Sequence, residues 1–455
     1  MERMTIQEIA RAIGSQGTYP GEVDTISTDS RRLPEGCLFV ALEGERFDGH
    51  DFIPAALRAG ASAAVAHERR DYGPGAVLYA KNTQRALMDI AKAYRAKFSI
   101  RCVGVTGSVG KTTTKEMIAD VLASTFRTLK TEGNLNNEIG LPKTLFRLDR
   151  TTEAAVVEMG MQGLGEIAAL ADIAKPDIGV ITNIGVSHLE QLGSRENILK
   201  AKLELADALP DGAPLLLCGD NDLLSQVRIP RLDVLFFGID NPACGLRAKD
   251  ICEGERETSF TLCEGGGELP VTIPCVGRHN VLNALAAFAV GRALAIPPER
   301  CAAALRDYLP SGMRQKVVHW QGVTVVEDCY NASPDSMKAA IGTLAGYPCP
   351  GRKIAVLGGM LELGAISERA HTEIGAYAAE KGIDLLLAYG GDACYYRQGA
   401  SEGGISAALF GDKAELLRRL MAEIRPGDVV WVKGSRGMRM EEILEGLYKG
   451  EVVNE

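Results

Sequence analysis

The sequence predicts an α/β protein of three domains: a small N-terminal α/β domain over residues 1–98, a central mononucleotide-binding domain with a parallel sheet over 99–311, and a Rossmann-like domain over 312–455. Three observations carry this expectation. At ~150 residues per domain, a chain of 455 residues has room for three. Strand-like apolar runs alternate with amphipathic helix-like stretches, the order that wraps a mostly parallel sheet in helices. A glycine-rich phosphate loop (P-loop) stands between one such strand and helix, Gly107-Ser108-Val109-Gly110-Lys111-Thr112-Thr113.

Taken in order, the first segment ends in an amphipathic helix over 83–97. The second opens with a strand over 100–105, followed by the glycine-rich turn and a helix over 111–124; further strands are expected at 154–158, 178–183 and 215–218. Gly265-Gly266-Gly267 reads as a hairpin turn and Pro310-Ser311-Gly312 as a linker. The third segment repeats the alternation, with strands over 353–357, 384–389 and 428–432 and helices over 367–381, 413–424 and 440–448, the pattern of a smaller Rossmann-like domain.

Composition narrows the function classes. Lys plus Arg total 50 against 59 Asp plus Glu, a formal net charge of -9, with 46% hydrophobic and 24% charged residues. That is the balance of a globular enzyme with ample core. A net acidic chain is a poor general ligand for nucleic acid, because that attraction comes from Lys and Arg neutralising phosphates; no nucleic-acid partner is expected. The eleven cysteines include no C-x-x-C pair and mostly sit in apolar runs such as Arg101-Cys102-Val103-Gly104, which predicts buried, reduced thiols rather than a disulfide framework or zinc cluster. The start, Met1-Glu2-Arg3-Met4-Thr5, carries charge where a secretory signal is apolar. No run approaches the ~18 apolar residues of a membrane span, so a soluble, cytoplasmic protein is expected.

In the glycine-rich turn, small residues let backbone N–H groups close around phosphate oxygens, and the following helix adds the positive end of its dipole. Lys111 would neutralise β- and γ-phosphate charge and the Thr112 hydroxyl would ligate Mg²⁺. Val105 stands where the strict pattern has its first glycine. Ligands of an open parallel sheet gather beyond the carboxyl ends of its strands. Glu158 ends the strand Ala154-Ala155-Val156-Val157 and His188 follows Ile181-Thr182-Asn183-Ile184-Gly185, so both are expected at the edge carrying the phosphate loop. A carboxylate there suits Mg²⁺, which takes oxygen ligands and keeps waters; a solvated strand end and an ordinary loop histidine are the plain alternatives.

Lys202 is the most informative single residue. In a helix over 196–209, at about 100° per residue, Ile198, Lys202, Leu205 and Leu209 share one arc, with Lys200, Glu204 and Asp207 opposite. A cation in an apolar stripe is costly to bury unpaired. Either it snorkels to the surface, or it emerges beside Glu158 and His188, where low dielectric and a metal lower its pKa. A neutral amine there can take up CO₂ to become a carbamate, an anionic oxygen ligand for Mg²⁺.

With these residues in view, the chain resembles the Mur ligase family, ATP-dependent amide-forming enzymes of peptidoglycan precursor synthesis. The resemblance covers nearly the whole chain. It runs through Thr106-Gly107-Ser108-Val109-Gly110-Lys111-Thr112, Glu158-Met159-Gly160, Asn183-Ile184-Gly185-Val186-Ser187-His188, Lys200-Ala201-Lys202-Leu203-Glu204 and Gly277-Arg278-His279-Asn280-Val281-Leu282-Asn283-Ala284. The runs Lys130-Thr131-Glu132-Gly133-Asn134-Leu135-Asn136-Asn137, Asp328-Cys329-Tyr330-Asn331-Ala332-Ser333-Pro334-Asp335-Ser336-Met337 and Val432-Lys433-Gly434-Ser435-Arg436 are nearest the members that join D-alanyl-D-alanine to UDP-N-acetylmuramoyl-tripeptide. In the N-terminal domain, Ser27-Thr28-Asp29-Ser30-Arg31 and Gly44-Glu45-Arg46-Phe47-Asp48-Gly49 are similar to the family's UDP-binding domain.

What the resemblance implies is an ATP-dependent ligase working through an acyl phosphate, serving cell-wall synthesis, cell shape and division, with ATP and Mg²⁺ as cofactors and a monomer as the expected state. Lys111 and Thr112, with Gly107, Ser108, Val109, Gly110 and Thr113, would hold the phosphates. Glu158, His188 and a carbamylated Lys202 would hold Mg²⁺ with Thr112. Asn280 and Asn283 would approach the adenine, Arg314 the γ-phosphate, and Asp328 and Tyr330 the nucleoside from the third domain. Ser27, Asp29, Ser30 and Arg31, with Asn134, Asn136 and Asn137, would take the UDP-muramoyl-peptide. Asn283 as helix packing and Tyr330 as a core aromatic are the alternatives for those two. Relatives commonly carry Asp where Gly359 stands, so any contact that Asp makes is in doubt here. Rival expectations are a sibling ligase adding diaminopimelate or lysine, whose diaminopimelate form carries Asp-Asn-Pro-Arg in the third domain, and a nucleotide-gated interaction module. Here Asp240-Asn241-Pro242 is followed by Ala243 in the second domain and reads as a turn.

Overall fold

The structure is a computed structural model that describes residues 1–44, 47–310 and 312–450. Glu45 and Arg46 of the N-terminal motif, Ser311 of the expected linker and the last five positions of the third domain lie outside the described residues. Val103, Val105, Val156, Val157, Val180 and Ile181 have no exposed surface. Strands apolar on both faces belong in a parallel sheet with helices on either side, and these form the middle of a nine-stranded sheet. Its order is Gly267–Ile273, Thr258–Glu264, Leu246–Glu253, Asp233–Gly238, Pro214–Cys218, Ile178–Ile181, Arg101–Thr106, Ala154–Glu158 and Thr128–Lys130. The carboxyl ends of Arg101–Thr106, Ala154–Glu158 and Ile178–Ile181 lie side by side, with Val105 paired to Glu158 and Thr106 to Ile181. That register brings the phosphate loop, Glu158 and the segment leading to His188 to one edge.

The expected parallel sheet holds for its inner strands. Where the structure adds to the expectation is at the far edge: Leu246–Glu253, Thr258–Glu264 and Gly267–Ile273 run as antiparallel hairpins. Gly265 and Gly266 have φ of 57° and 85° in the tight turn between the last two strands. Those half-exposed strands mix polar and apolar residues and lack the unbroken apolar runs of the buried ones. Pro242 and Ala243 form a turn, as expected of that segment.

The third sheet has six strands in the order Lys316–Trp320, Val323–Asp328, Val429–Lys433, Lys353–Gly358, Leu385–Tyr389 and Ser406–Phe410, parallel except for the first pair. In the N-terminal part, four short parallel strands stand beside the helix Thr83–Arg95. That helix is tied to the central sheet's helices: Lys92 Nζ bonds both oxygens of Asp172 at 2.8 and 2.7 Å, and Arg95 Nε donates to the Ala174 carbonyl at 2.9 Å. All eleven cysteines are free; seven are buried, whereas Cys252 is exposed. Among the described residues no helix is long and apolar enough to cross a membrane.

Two helices of the third domain, Ser367–Glu380 and Cys394–Glu402, touch through glycines. A Cβ on Gly399 would sit 2.1 Å from the Thr372 carbonyl oxygen, and one on Gly375 2.1 Å from that of Tyr396. Backbone cannot swing aside as a side chain does, so a methyl group must part the helices. Gly399→Ala is expected to destabilise the third domain by about 1–3 kcal/mol. Urea unfolding measures this, and an unshifted midpoint would show that the helices separate without penalty.

Candidate active site

The phosphate loop is held in shape by hydrogen bonds and close contacts from its own neighbours. Gly107 has φ 149°, and a Cβ there would lie 1.9 Å from Thr182 Oγ1. Gly110, at φ 86°, turns the chain into the helix Lys111–Ala123. Asn183 pins the loop twice, its carbonyl accepting from Ser108 N at 3.1 Å and its Oδ1 from Val109 N at 2.7 Å. Ser108 Oγ accepts from Gly185 N at 2.9 Å, closing the loop against the next one. Lys111 Nζ folds back onto the Gly107 carbonyl at 2.8 Å. Burial lowers its pKa, with Arg314 acting in the same sense and Glu158 against it.

A cavity of about 660 Å³ opens over this loop. Ser108 to Thr113, Glu158, His188 and Lys202 line it from the central sheet, and Asn134, Asn136 and Asn137 from the loop after Thr128–Lys130. Glu158 is 2% exposed, so the solvated strand end is ruled out. Its Oε1 accepts from Asn136 Nδ2 at 2.8 Å, while Oε2 is buried with no hydrogen-bond partner among the described residues. Lys202 is 2% exposed and its stripe-mates Ile198, Leu205 and Leu209 are buried, so it does not snorkel. Burial, reinforced by the Lys111 cation, holds its pKa well below the ordinary lysine value. His188 takes a left-handed φ of 63°; burial and then Lys111 and Lys202 push its pKa down to about 4. Its Nδ1 has no hydrogen-bond partner, although Glu362 Oε2 lies 3.2 Å away, out of line for one.

No three His, Cys, Asp or Glu side chains gather as a metal cluster among the described residues. The donors at this edge are instead one carboxylate, one imidazole, the Thr112 hydroxyl and the Lys202 amine. The unpartnered Glu158 oxygen, a group that costs free energy when buried bare, has the chemistry of a Mg²⁺ ligand. The residues fit that ion.

The third domain closes the other wall. Arg314 Nη2 donates to Thr112 Oγ1 at 3.0 Å, and its guanidinium stacks 4.0 Å over the Tyr330 ring. Asp328 accepts from Lys433 Nζ at 2.8 Å and Trp431 Nε1 at 3.3 Å. Asn280 donates to Gln315 Oε1 at 2.7 Å, and His279 Nε2 lies 2.8 Å from Gln315 Nε2. Asn283 is as much packing as lining: Thr114 Oγ1 donates to its Oδ1 at 3.0 Å and it donates to Asn280 at 3.1 Å. Asn137 Oδ1 accepts from Gly140 N at 2.8 Å, at the start of the next helix.

Not every expected residue meets here. Ser27, Asp29, Ser30 and Arg31 lie outside the cavity wall, and Arg31 clamps Asp29 with two bonds of 2.9 and 2.8 Å. Gly359 makes only ordinary contacts, the nearest being His371 Nε2 at 3.8 Å from where a Cβ would be. Several lining groups carried no signal in the chain. Gln84 reaches from the N-terminal part to bond Glu138. Asp335 packs on Gly185, where a Cβ would stand 2.0 Å from its carboxylate. Lys433 sits in a quoted motif, but its pairing with Asp328 depends on two strands meeting far along the chain.

The comparisons with known proteins agree with this arrangement. Residues 22–98 match the catalytic domain of the Mur ligase family, 105–291 the Mur ligase middle domain, and 313–436 the Mur ligase glutamate ligase domain. The UDP-N-acetylmuramoyl-tripeptide–D-alanyl-D-alanine ligase of Bacillus subtilis is 40% identical over 98% of this chain and 99% of its own. Among solved structures, MurF from Acinetobacter baumannii superposes with a TM-score of 0.92 at 30% identity over 99% of both chains. The MurF ligase of Thermotoga maritima in complex with ADP gives 0.85 at 32% identity, covering 93% of this chain and 97% of that one. Phosphate loop, buried carboxylate and three-domain cavity thus coincide with matches along most of the sequence, and the chain belongs to the Mur ligase family.

Proposed function

We propose that this protein is an ATP-dependent ligase that joins D-alanyl-D-alanine to UDP-N-acetylmuramoyl-tripeptide through an acyl phosphate, forming the pentapeptide precursor of peptidoglycan. The observation that carries it is the cavity that half-buried Lys111, buried Lys202 and Arg314 line together with a Glu158 oxygen that has no partner among the described residues, a setting for a polyanion with metal. The Bacillus subtilis relative, similar over its full length, is named for this reaction, and the Thermotoga maritima structure holds ADP.

In this reading residues 1–98 bind the UDP moiety through Ser27, Asp29, Ser30 and Arg31. Residues 99–311 bind ATP, and 312–455 bring nucleotide contacts and the dipeptide. Loop N–H groups from Gly107 to Thr113 cradle the phosphates, Lys111 swings off the Gly107 carbonyl to neutralise the transferred charge, and Arg314 does so from the third domain. Thr112, Glu158, His188 and a carbamylated Lys202 would hold Mg²⁺, which would supply charge neutralisation on phosphate oxygens. The Lys202 amine, whose pKa burial and the Lys111 cation hold well below the ordinary lysine value, would add to CO₂ and lose a proton to become an anionic carbamate. Asn134, Asn136 and Asn137 orient the tripeptide carboxylate. That carboxylate takes the γ-phosphoryl group and ADP departs; the dipeptide amine then attacks the carbonyl carbon, and inorganic phosphate leaves. An acyl phosphate hydrolyses in open water, so the wall made by Arg314, Tyr330 and Asp328 protects it. Asn280 and Asn283 face the adenine.

ADP release with purified UDP-muramoyl-tripeptide and a panel of amino acids and dipeptides tests the assignment. D-alanyl-D-alanine should be the acceptor that supports turnover, and Lys111→Ala should reduce it at least ~10³-fold. Turnover with no acceptor would mark a nucleotide switch, and preference for diaminopimelate or lysine a sibling ligase. Lys202→Ala should lose activity and regain part of it when formate or acetate fills the gap; undiminished turnover without additive excludes the carbamate.

A pH dependence follows from His279. Burial holds its pKa at about 4 against 6.5 when exposed. The unfolded chain therefore takes up a proton first, and stability falls as pH drops from 6.5 towards 4. His279→Gln should flatten part of that slope in urea midpoints measured across the range, leaving the share of His188 and His371, whose pKa values burial also lowers. An unaltered slope would place His279 in a solvated setting.

A further inference from the structure

The helix that follows the phosphate loop carries a second lysine that the reaction above leaves unused. Lys115 is 0% exposed, one of the largest fully buried side chains in the protein. Its Nζ donates to the Thr131 carbonyl at 2.6 Å and lies 2.7 Å from Glu116 Oε1. Glu116 is itself clasped by Lys130 from the neighbouring strand. Burial raises the Glu116 pKa, but the Lys115 and Lys130 ammoniums outweigh it, and the carboxyl sits below its usual range.

Thr131 is the residue on which this cation acts. It lies just past the strand Thr128–Lys130, where the edge of the sheet supplies no further partner to its carbonyl. Its own N–H donates to the Val156 carbonyl at 3.0 Å, and its hydroxyl accepts from Glu158 N at 3.0 Å. From the same loop, Asn136 Nδ2 donates to Glu158 Oε1 at 2.8 Å and the Asn136 carbonyl accepts from Gly160 N at 2.8 Å. Hydrogen bonds therefore link Lys115, four residues after Lys111, through Thr131 to the Glu158 backbone, while Asn136 of the same loop holds the Glu158 carboxylate. A buried ion pair is weak evidence for stability, since apolar replacements of similar volume are often neutral or better. An ammonium at this place has a geometric role instead: a Met or Leu fills the space but leaves a buried carbonyl bare.

We infer that Lys115 is a positioning residue for the Mg²⁺ site: acting through Thr131, it fixes Glu158 relative to the phosphate-loop helix. The inference rests on the reading of Glu158 as a Mg²⁺ ligand and adds the residues that aim it. Partners that orient a metal ligand typically change metal affinity ~10–100-fold when removed.

Mn²⁺ titrations of the full-length protein with saturating ADP, followed by electron paramagnetic resonance, test this without turnover. Lys115→Met and Thr131→Val should each weaken Mn²⁺ binding about tenfold while ADP affinity without metal stays within about twofold. Thr131→Ser, which keeps the hydroxyl, should bind Mn²⁺ as the parent does. Thr131→Val decides the matter if Lys115→Met does not fold. Glu158→Gln is the control. If it leaves Mn²⁺ binding untouched, the metal-ligand reading fails and this inference with it. If it weakens binding while folded Lys115→Met and Thr131→Val do not, the metal site stands and the positioning role is overturned.

Discussion

A half-buried lysine and a buried one, Lys111 and Lys202, line the same cavity in this protein, and most of the site can be traced to what keeps them there. Lys202 is carried inward because Ile198 and Leu205, on the same helix face, are committed to the core. Lys111 follows the loop whose glycines set the start of its helix. The Lys111 cation makes a charge on Lys202 less favourable, and burial lowers the pKa of both. The fold offers Glu158 as a counter-charge, but half of that carboxylate is turned to the cavity with no donor. Such a balance is poor for an empty crevice. It suits one that spends its working life filled by phosphates and a divalent ion.

Around this centre the loops brace one another. Asn183 holds the phosphate loop by backbone and side chain, and Ser108 holds the strand end beyond Asn183. The phosphate loop and the segment over 183–185 are therefore a single hydrogen-bonded body. The third domain adds Arg314 and Asp328 from separate strands and loops, each with its own internal partner, Tyr330 and Lys433.

How much of this was legible in the chain depends on whether a residue's role is local. The phosphate loop was, because strand, glycines and helix are consecutive. Lys202 was, because helical spacing alone places it among Ile198, Leu205 and Leu209, and its burial follows. Glu158 and His188 were placed by the rule that ligands collect at strand carboxyl ends. The wall residues Gln84 and Asp335, and Glu362 beside His188, were not, because each acquires meaning from a partner a domain away. The left-handed φ of 63° at both His188 and Glu362 has no signature in either residue type. The hairpin turn at Gly265-Gly266-Gly267 was legible from its glycines, but the strands flanking it were not, because edge strands exposed on one face lack the apolar runs that betray buried ones. The roles of Asn134, Asn136 and Asn137 came from family resemblance, and geometry adds that Asn136 grips Glu158.

The seam at Gly185 has a consequence for inhibitor chemistry. Hydrogen is the whole side chain there, and the Asp335 carboxylate occupies the room a methyl group would need. Apposition of the two domains at that point thus has almost no slack. A compound wedged into this crevice by two or three heavy atoms would hold Arg314 away from Thr112 without resembling ATP or the sugar nucleotide.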